Sequence, residues 1–570
     1  MTSERRAPLL LVILRLAVMR RVAFCAALAL VAAAAPVRAQ PAVCVENASL
    51  SELRDALLTG RTSATELTRA YLARIAAYDR AGPSLNAVRE INPDALAIAA
   101  QLDASKPNPR MPLWGIPILI KDNIATGDAE HTTAGSLALA DARAKRDATV
   151  AALLRRAGAV ILGKANLTEF ANILAIGMPS GYSSLGGQVR NPYAPEADDT
   201  GIPFVLPGGS SAGSAVSVAA GFAAAAIGTE TSGSLLSPAN MNGLVTVKPT
   251  VGLISRAGIV PIAASQDTAG PLTRSVRDAA LLLNVLAARD SRDSATRAQR
   301  RPPDYTSVLN PDGLKGARIG VPSDPEDPAN DVYYGGLTPR AAAVMQTAIA
   351  VLEAKGAVIV RANIPTEGWI GGPGSDMPIL NLNPESLNRN QPQRVPTVFV
   401  YELKHDLNAY LHDWAVETKM HTIADIVAFN KANASRALRF GQDIFLAANA
   451  TRGDLTELEY ISARRMDLRT ARMLGLDSYM DTHRLDAILF PANFGAAIAA
   501  KAGYPSVQVS AGFVAGAGGR DTPDYPFGAT FTGRAWSEPT LLRLVYAFEQ
   551  ATMARRMPPG MPPLDPACAH

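Results

Sequence analysis

Amphipathic stretches alternate with short apolar runs along this chain, and glycines mark the boundaries between them. Residues 147–156 show helical periodicity, and Gly158 is placed to end that helix. The apolar run at 159–162 follows at once and is typical of a buried strand. This stretch therefore predicts a helix that leads directly into a strand of a buried sheet.

The same order recurs later in the chain. Thr338 is a candidate N-cap, and Pro339 suits the first helical position. The helix is predicted to run to Lys355 and to end at Gly356, before another apolar run at 357–360. Helices that alternate with buried strands in this way predict an α/β fold with a largely parallel sheet covered by helices.

Other segments of the sequence predict helix starts, loops and a tail around these helices and strands. A capping box at 63–66 predicts the start of an N-terminal helix. The polar stretch 289–304 predicts an exposed connection, and residues 368–396, rich in glycine, proline and asparagine, predict a long loop. The proline-rich end of the chain, 558–570, predicts an irregular tail.

The first 39 residues have the pattern of a secretory signal peptide. Met19-Arg20-Arg21 precedes an apolar stretch at 22–35, and Val37-Arg38-Ala39 fits small-x-Ala cleavage before Gln40. The apolar stretch is shorter than the ~20 residues that a membrane span needs. We therefore expect cleavage after Ala39 and a periplasmic or secreted protein without a membrane anchor. The arginine pair leaves both general and twin-arginine export open, and either Met1 or Met19 could be the start.

Removal of this segment changes the charge balance. The whole chain has 55 Lys and Arg against 51 Asp and Glu. Residues 1–39 hold six arginines and one glutamate, which leaves 49 basic and 50 acidic residues in the remainder. Such a balance gives no reason to expect nucleic acid or an anionic membrane as a partner.

The cysteines predict a covalent link between the two ends of the exported chain. Cys25 lies in the signal segment, so only Cys44 and Cys568 remain after cleavage. Thiols tend to join in an oxidising compartment, and the termini of a domain often lie close together. We expect a disulfide between Cys44 and Cys568, the alternative being two free thiols on frayed ends.

Three residues carry the candidate chemistry. Lys121 ends the apolar run 116–120, and Ser210 and Ser234 lie in segments rich in glycine and serine. A neutral lysine can accept the proton of a serine if burial lowers the lysine pKa, and the apolar run can supply that burial. A second serine can bridge the lysine to the nucleophile. Nearby glycines let backbone N–H groups approach an oxyanion closely.

These segments resemble the amidase signature family. Its members carry a lysine after a Gly-(Ile/Val)-Pro apolar strand, a bridging serine in Gly-Gly-Ser-Ser, and a nucleophile in a later Gly-Ser. By position, the resemblance implies that Lys121 is the base, Ser210 the bridging serine after a cis peptide bond, and Ser234 the nucleophile. It also implies an oxyanion hole made by the backbone N–H groups of Thr231, Ser232, Gly233 and Ser234.

The resemblance covers about Leu50 to Ala554 and implies one catalytic domain at 45–557. The fold it implies is a single large α/β domain, with a central mixed, twisted sheet covered by helices on both faces. Within the family, 228–231 and 401–408 are most similar to bacterial peptide amidases. A peptide C-terminal amide is therefore the first substrate expected. The resemblance also implies that the segment from about Pro396 to about Tyr460 forms part of the substrate entrance.

Two departures from the family pattern concern the choice of substrate. Peptide amidases tend to have aspartate where this chain has Ser232, and many members have arginine where it has Leu236. Aryl-acylamides, carbamates and esters therefore stay open as alternative substrates. Oligomeric state is not indicated by the sequence.

Three further alternatives come from other classes of protein. The segment 209–213 also matches the nucleophile elbow of α/β-hydrolases, with Ser211 as nucleophile. The second alternative is the A-type subunit of a tRNA-dependent amidotransferase, which shares the signature. That subunit would need a cytosolic partner complex and tRNA, and the signal-peptide pattern argues against it. The third alternative is a catalytically inactive binding protein of the same fold. The histidines that could serve Ser211 are His405, His412, His421, His483 and His570.

The chain lacks the spacings of common metal and phosphate sites. There is no His-Glu-x-x-His, no Cys-x-x-Cys and no Walker motif. His405 and His412 are seven residues apart, which fits surface or core histidines better than a metal site. We expect no metal and no organic cofactor.

Overall fold

An eleven-stranded mixed sheet runs through the part of the chain that the computed structural model describes, which is 43–300, 302–366, 370, 376–378, 394–514 and 524–568. From Val43 onward the chain forms one compact unit. The expected signal peptide at 1–39 and most of the expected loop at 368–396 lie outside the described residues.

The strands are numbered in chain order. Within the described residues they are β1 (Val88–Ile91), β2 (Pro117–Lys121), β3 (Arg143–Ala144), β4 (Val160–Ala165), β5 (Tyr182–Ser183), β6 (Gly187–Gln188), β7 (Ala225–Glu230), β8 (Val245–Lys248), β9 (Thr268–Thr273), β10 (Arg318–Val321), β11 (Val358–Arg361), β12 (Asp376–Pro378), β13 (Arg394–Pro396), β14 (Ala415–Val416), β15 (Ala487–Pro491), β16 (Ser506–Val514) and β17 (Tyr525–Thr532).

The order of strands in the large sheet is β1-β4-β2-β7-β9-β8-β16-β17-β15-β10-β11. The β4-β2, β2-β7, β15-β10 and β10-β11 pairs are parallel, and the other six pairs of this sheet are antiparallel among the described residues. The expected mixed sheet is therefore confirmed, whereas the largely parallel sheet inferred from the alternation pattern is wrong. Apolar runs identify buried strands, but strand direction depends on which strands pair.

Helices cover this sheet. In the described residues the α-helices are Leu50–Leu58, Ala64–Arg74, Ala95–Asp103, Thr149–Arg156, Ala212–Ala219, Leu236–Met241, Val276–Leu286, Pro339–Ala354, Thr397–Asp413, Ile423–Ala432, Ala434–Ala437, Asp443–Ala450, Leu458–Asp467, Ser478–His483, Ala496–Ala502 and Glu538–Thr552. None of these described helices is both long and apolar enough to cross a lipid bilayer.

Local signals in the sequence placed several helix ends correctly. The Ser63 hydroxyl accepts from the Glu66 N–H while the Glu66 carboxylate accepts from the Ser63 N–H, which completes the expected capping box. The Thr338 side chain accepts from the Ala341 N–H at the start of its helix. The predicted stop at Gly356 has a positive φ of 86°, a conformation that favours glycine.

The polar stretch 289–304 is not simply an exposed connection. Asp293 in it is buried and pairs with Arg256 at 2.6 Å. The Gln299 side chain is also buried and donates to the Leu253 carbonyl at 2.8 Å. This segment therefore packs against the body of the domain, because its polar side chains hold the neighbouring backbone.

The two ends of the unit meet, as the cysteines predicted. A disulfide joins Cys44 to Cys568, with Cα atoms 5.5 Å apart. The tail also packs on the N-terminal helical region, where Arg74 and Tyr78 both donate to the Pro562 carbonyl, at 3.0 and 2.9 Å. Met561 is buried there, so the tail is irregular in conformation but is tied to the domain.

Candidate active site

The candidate site lies where β2 and β7 end at the same edge of the sheet. The two strands are parallel neighbours, with Ile120 opposite Ile227. Lys121 is the last residue of β2, and Thr229 lies near the end of β7. Carboxyl ends of adjacent parallel strands form the usual ligand-binding edge of an α/β sheet. The strand register therefore brings the predicted lysine next to the glycine-rich segment that ends in Ser234.

The Lys121 amine is held in a buried cage of oxygen atoms. Its Nζ lies 2.8 Å from Ser210 Oγ, 2.9 Å from Thr229 Oγ1 and 3.4 Å from the Thr229 carbonyl oxygen. All of β2 is buried. Burial lowers the pKa of Lys121 to about 7, against the opposing effect of the Glu230 and Asp267 carboxylates. A substantial fraction of this lysine is therefore neutral near neutral pH.

Three lysines are fully buried in the described part of the chain, and their surroundings differ. Lys164 donates to the Ile124 carbonyl at 2.7 Å and to Thr132 Oγ1 at 3.2 Å. Lys248 lies 3.3 Å from the Pro249 carbonyl. Burial lowers the pKa of both lysines. Of the three, Lys121 is the one bonded to a serine hydroxyl, and geometry rather than burial singles it out.

Ser210 sits in a tight turn that leads into the helix Ala212–Ala219. The peptide bond between Gly209 and Ser210 is cis. The Ser210 carbonyl accepts from the Thr168 N–H at 3.1 Å. A side chain at Gly209 would meet Thr168 Oγ1 at 2.6 Å, so the close approach of the turn to this residue requires glycine.

Ser234 occupies the adjoining turn. Its carbonyl accepts from the Ser211 N–H at 3.2 Å, which places the two predicted serine turns side by side. Ser234 keeps 8% exposure, whereas Lys121 and Ser210 are completely buried. Within the described residues the Ser234 hydroxyl forms no hydrogen bond. The structure thus joins Lys121 to Ser210, while Ser234 is the one of the three that retains some exposure.

Glu230 shapes the turn that carries Ser234. Its Oε2 accepts from the Leu235 and Leu236 N–H groups at 2.7 and 3.0 Å. Gly233 has a φ of 91° in this turn. Among the residues that the structure describes, none accepts a hydrogen bond from the four backbone N–H groups predicted for the oxyanion hole, namely those of Thr231, Ser232, Gly233 and Ser234.

Ser211 is the nucleophile of the alternative esterase hypothesis, and its hydroxyl is hydrogen-bonded to the backbone of Thr229. Its hydroxyl donates to the Thr229 carbonyl at 3.0 Å and accepts from the Thr229 N–H at 3.2 Å. Gly228 permits this approach, since a Cβ there would lie 2.7 Å from Ser211 Oγ. Among the described residues, no histidine bonds to Ser211. This arrangement does not support a Ser211-histidine mechanism.

A cavity of about 250 Å³ opens beside the Lys121 cage. The residues that line it include Thr229, Thr231, Asp267, Tyr410 and Trp414. The Thr231 hydroxyl donates to the Asp267 carboxylate, whose second oxygen accepts two backbone N–H groups. Burial raises the pKa of Asp267 to about 7. The cavity lining therefore combines aromatic rings with charged side chains, among them Asp267, whose carboxylate acts electrostatically on the lysine.

The segment 401–408, similar to peptide amidases, braces this cavity. Glu402 accepts from the Ser265 N–H at 2.9 Å, and Asp406 accepts from the Ala264 N–H at 2.8 Å. Lys404 donates to the Asn449 carbonyl at 2.8 Å. These side chains hold the backbone at Ala264, which lines the cavity, and at Ser265, and they hold the end of the helix Asp443–Ala450.

The two positions that differ from the family pattern, Ser232 and Leu236, differ in their exposure to solvent. Leu236 is fully buried in the first turn of its helix, whereas Ser232 is partly exposed beside Ser234. Ser232 is therefore the better candidate for an effect on substrate choice. Sequence reasoning assigned no role to Asn123, Thr229, Glu230 or Asp267, although Thr229 and Glu230 lie in the segment 228–231 that it singled out.

Comparisons with known proteins identify the family of this chain. The protein family described as Amidase matches residues 66–368. A probable amidase of Arabidopsis thaliana is 35% identical over 93% of this chain and 94% of its own. The structure of a peptide amidase from Stenotrophomonas maltophilia superposes with a TM-score of 0.76 at 41% identity, over 90% of this chain and 98% of that one. The A-type subunit of the glutamyl-tRNA(Gln) amidotransferase of a Roseiflexus species is 32% identical over 90% of this chain and 98% of its own.

Proposed function

The chain belongs to the amidase family and is an amide-hydrolysing enzyme, and we propose that it works through an acyl-enzyme on Ser234, with the C-terminal amide of a peptide as its substrate. One observation carries this proposal. The buried amine of Lys121 lies 2.8 Å from Ser210 Oγ, in a turn adjacent to that of Ser234. The contact between Lys121 and Ser210, and the adjacency of the two serine turns, support a proton relay from Ser234 through Ser210 to the lysine.

In the first half of the reaction, Ser234 Oγ attacks the amide carbonyl carbon. Its proton passes to Ser210, and the Ser210 proton passes to neutral Lys121. The negative charge on the tetrahedral intermediate is stabilised by backbone N–H groups at 231–234, which have no acceptor among the described residues. The carbon–nitrogen bond then breaks as Lys121 returns a proton through Ser210 to the leaving amine.

In the second half, a water molecule attacks the serine ester. The same relay takes its proton, and the carboxylic acid leaves as Ser234 recovers its hydrogen. The cycle returns Lys121 to its neutral state, ready for another substrate.

The substrate proposal rests on the similarity to the Stenotrophomonas peptide amidase and on the cavity beside the site. The cavity has room for side chains, and Tyr410 and Trp414 offer apolar surface to them. Turnover of peptide amides should therefore exceed that of aryl-acylamides, carbamates and esters of similar size. Faster turnover of an aryl-acylamide or ester would replace the substrate proposal while leaving the amidase family unaffected.

A fluorophosphonate probe followed by peptide mapping tests the nucleophile. Labelling of Ser234 supports the proposal, and labelling of Ser211 would support the esterase alternative. An unlabelled chain without amide turnover would favour the inactive binding protein. Glutamine-amide hydrolysis that appears only with added partner proteins and tRNA would favour a role within an amidotransferase.

We also propose that the enzyme is exported and cleaved after Ala39. The sequence pattern of 1–39 motivates this, and the Cys44–Cys568 disulfide suits an oxidising compartment. N-terminal sequencing of the protein recovered from the periplasm or medium should begin at Gln40. Recovery of uncleaved chain from the cytosol with free thiols would contradict export.

A further inference from the structure

We propose that Thr229 is a positioning residue that aims the lone pair of neutral Lys121 at Ser210. The inference rests on the proposed function and adds a residue to it. Among the described residues, the Lys121 amine has three oxygen partners, and two of them, Oγ1 and the carbonyl oxygen, belong to Thr229. The third is the hydroxyl of Ser210.

The hydrogens and the lone pair of a neutral amine explain why these three contacts can orient the base. A neutral lysine carries two N–H hydrogens and one lone pair, and only the lone pair can accept the proton of Ser210. A carbonyl oxygen can only accept, so it must face a hydrogen of Lys121. If Thr229 Oγ1 takes the other hydrogen, the lone pair is left pointing at Ser210 Oγ. One residue can therefore select the productive orientation of the base.

Thr229 is itself held in place from three sides. Its N–H and its carbonyl are both bonded to Ser211 Oγ, at 3.2 and 3.0 Å. Its Oγ1 accepts from Asn123 Nδ2 at 3.0 Å as well as from Lys121. The Asn123 amide thus supports Thr229 Oγ1 in an accepting role. A side chain fixed at its backbone and its hydroxyl can impose an orientation on a flexible lysine.

This role is distinct from that of the charged groups near the base. The carboxylates of Glu230 and Asp267 favour the protonated form of Lys121 without a hydrogen bond to it. Thr229 is uncharged and makes direct contact, so its effect is directional. It should control the rate of proton transfer more than substrate binding.

The test compares Thr229→Val with Thr229→Ser. Valine keeps the shape but removes the hydroxyl acceptor, whereas serine keeps it. For Thr229→Val we expect kcat to fall at least about tenfold with KM little changed, since base catalysis contributes about 10²- to 10⁴-fold. The acid limb of the pH profile should also move to lower pH, because one acceptor that stabilises the charged amine is lost. Thr229→Ser should restore both properties to near wild-type values.

Thr246→Val is the matched control. Thr246 is a fully buried threonine of β8, and its hydroxyl donates to the Pro271 carbonyl at 2.7 Å, away from Lys121. Its loss should lower thermal stability without moving kcat or the pH profile. If Thr229→Val behaved like this control, the residue would be structural only and the inference would be wrong.

Fluorophosphonate labelling separates this inference from the proposed function. Absence of Ser234 labelling in the wild-type enzyme would overturn the proposed function itself. Normal labelling of Ser234 in Thr229→Val, at the wild-type rate and with the wild-type pH dependence, would overturn only the role of Thr229. Slower labelling that is rescued by Thr229→Ser supports both.

Discussion

Lys121 Nζ and Ser210 Oγ lie 2.8 Å apart, and both residues are completely inaccessible to solvent. A buried lysine in contact with a hydroxyl is costly when it is charged, because no solvent stabilises the ammonium. This pair therefore favours a neutral amine, which is the form that can accept a proton. The predictions below follow from this relationship and from the groups around it.

The first prediction concerns pH. Burial lowers the pKa of Lys121 to about 7, and below that pH the lysine is protonated and cannot act as a base. We expect kcat/KM for a peptide amide to rise with pH through about 7. Lys121→Ala should lose about 10²- to 10⁴-fold in kcat while its circular dichroism spectrum stays unchanged.

Lys248→Met is the control for this experiment, because Lys248 is equally buried but its amine bonds to the Pro249 carbonyl rather than to a serine hydroxyl. We expect the acid limb of the pH–rate profile of Lys248→Met to lie at the same pH as in the wild type. A Lys121→Ala enzyme that retained most of its rate would rule out this lysine as the base.

The second prediction concerns Glu230. Its carboxylate favours the protonated form of Lys121, so Glu230→Gln should lower the lysine pKa further and move the acid limb of the profile to lower pH. Glutamine retains an oxygen for the Leu235 and Leu236 N–H groups, which protects the Ser234 turn. A limb that stayed in place or moved to higher pH would argue against Lys121 as the titrating group.

The third prediction separates the serines by mass spectrometry with a slow substrate. Ser234→Ala should form no acyl-enzyme, and Ser210→Ala should retain weak turnover because only the relay is lost. Ser211→Ala leaves two buried backbone groups of Thr229 without their hydroxyl partner, at a cost of about 1–3 kcal/mol in stability. An acyl group found on Ser211 would refute the proposed mechanism.

The fourth prediction concerns the disulfide. Replacement of Cys44 and Cys568 by alanine should lower the free energy of unfolding by about 2–4 kcal/mol, since the bond restricts the unfolded chain. It should leave kcat unchanged, because among the described residues neither cysteine nor its neighbours bond to Lys121, Ser210 or Ser234. Thermal unfolding with and without reductant measures the effect. The double variant should show no further response to reductant, and a wild-type protein insensitive to reductant would contradict the prediction.

Local signals in the sequence were sufficient for much of the fold. The capping box at Ser63, the cap at Thr338 and the stop at Gly356 depend on neighbours within a few residues, so their effects can be predicted without the tertiary structure. The apolar run before Lys121 likewise predicted a buried strand, because only burial suits such a run. The direction of the antiparallel strands could not be obtained in this way, since pairing joins residues far apart in sequence.

The sequence by itself determined which side chains could do chemistry: a lysine at the end of an apolar strand, two serines among glycines, and two cysteines that now form a disulfide. Only the tertiary structure decided which atoms meet. The pairing of β2 with β7 brings Thr229 to Lys121, and the turn at Ser210 commits Ser211 to the Thr229 backbone. Residue spacing specifies the period of a helix or strand, whereas hydrogen-bond partners across a sheet edge depend on strand register and packing, which arise from the whole domain.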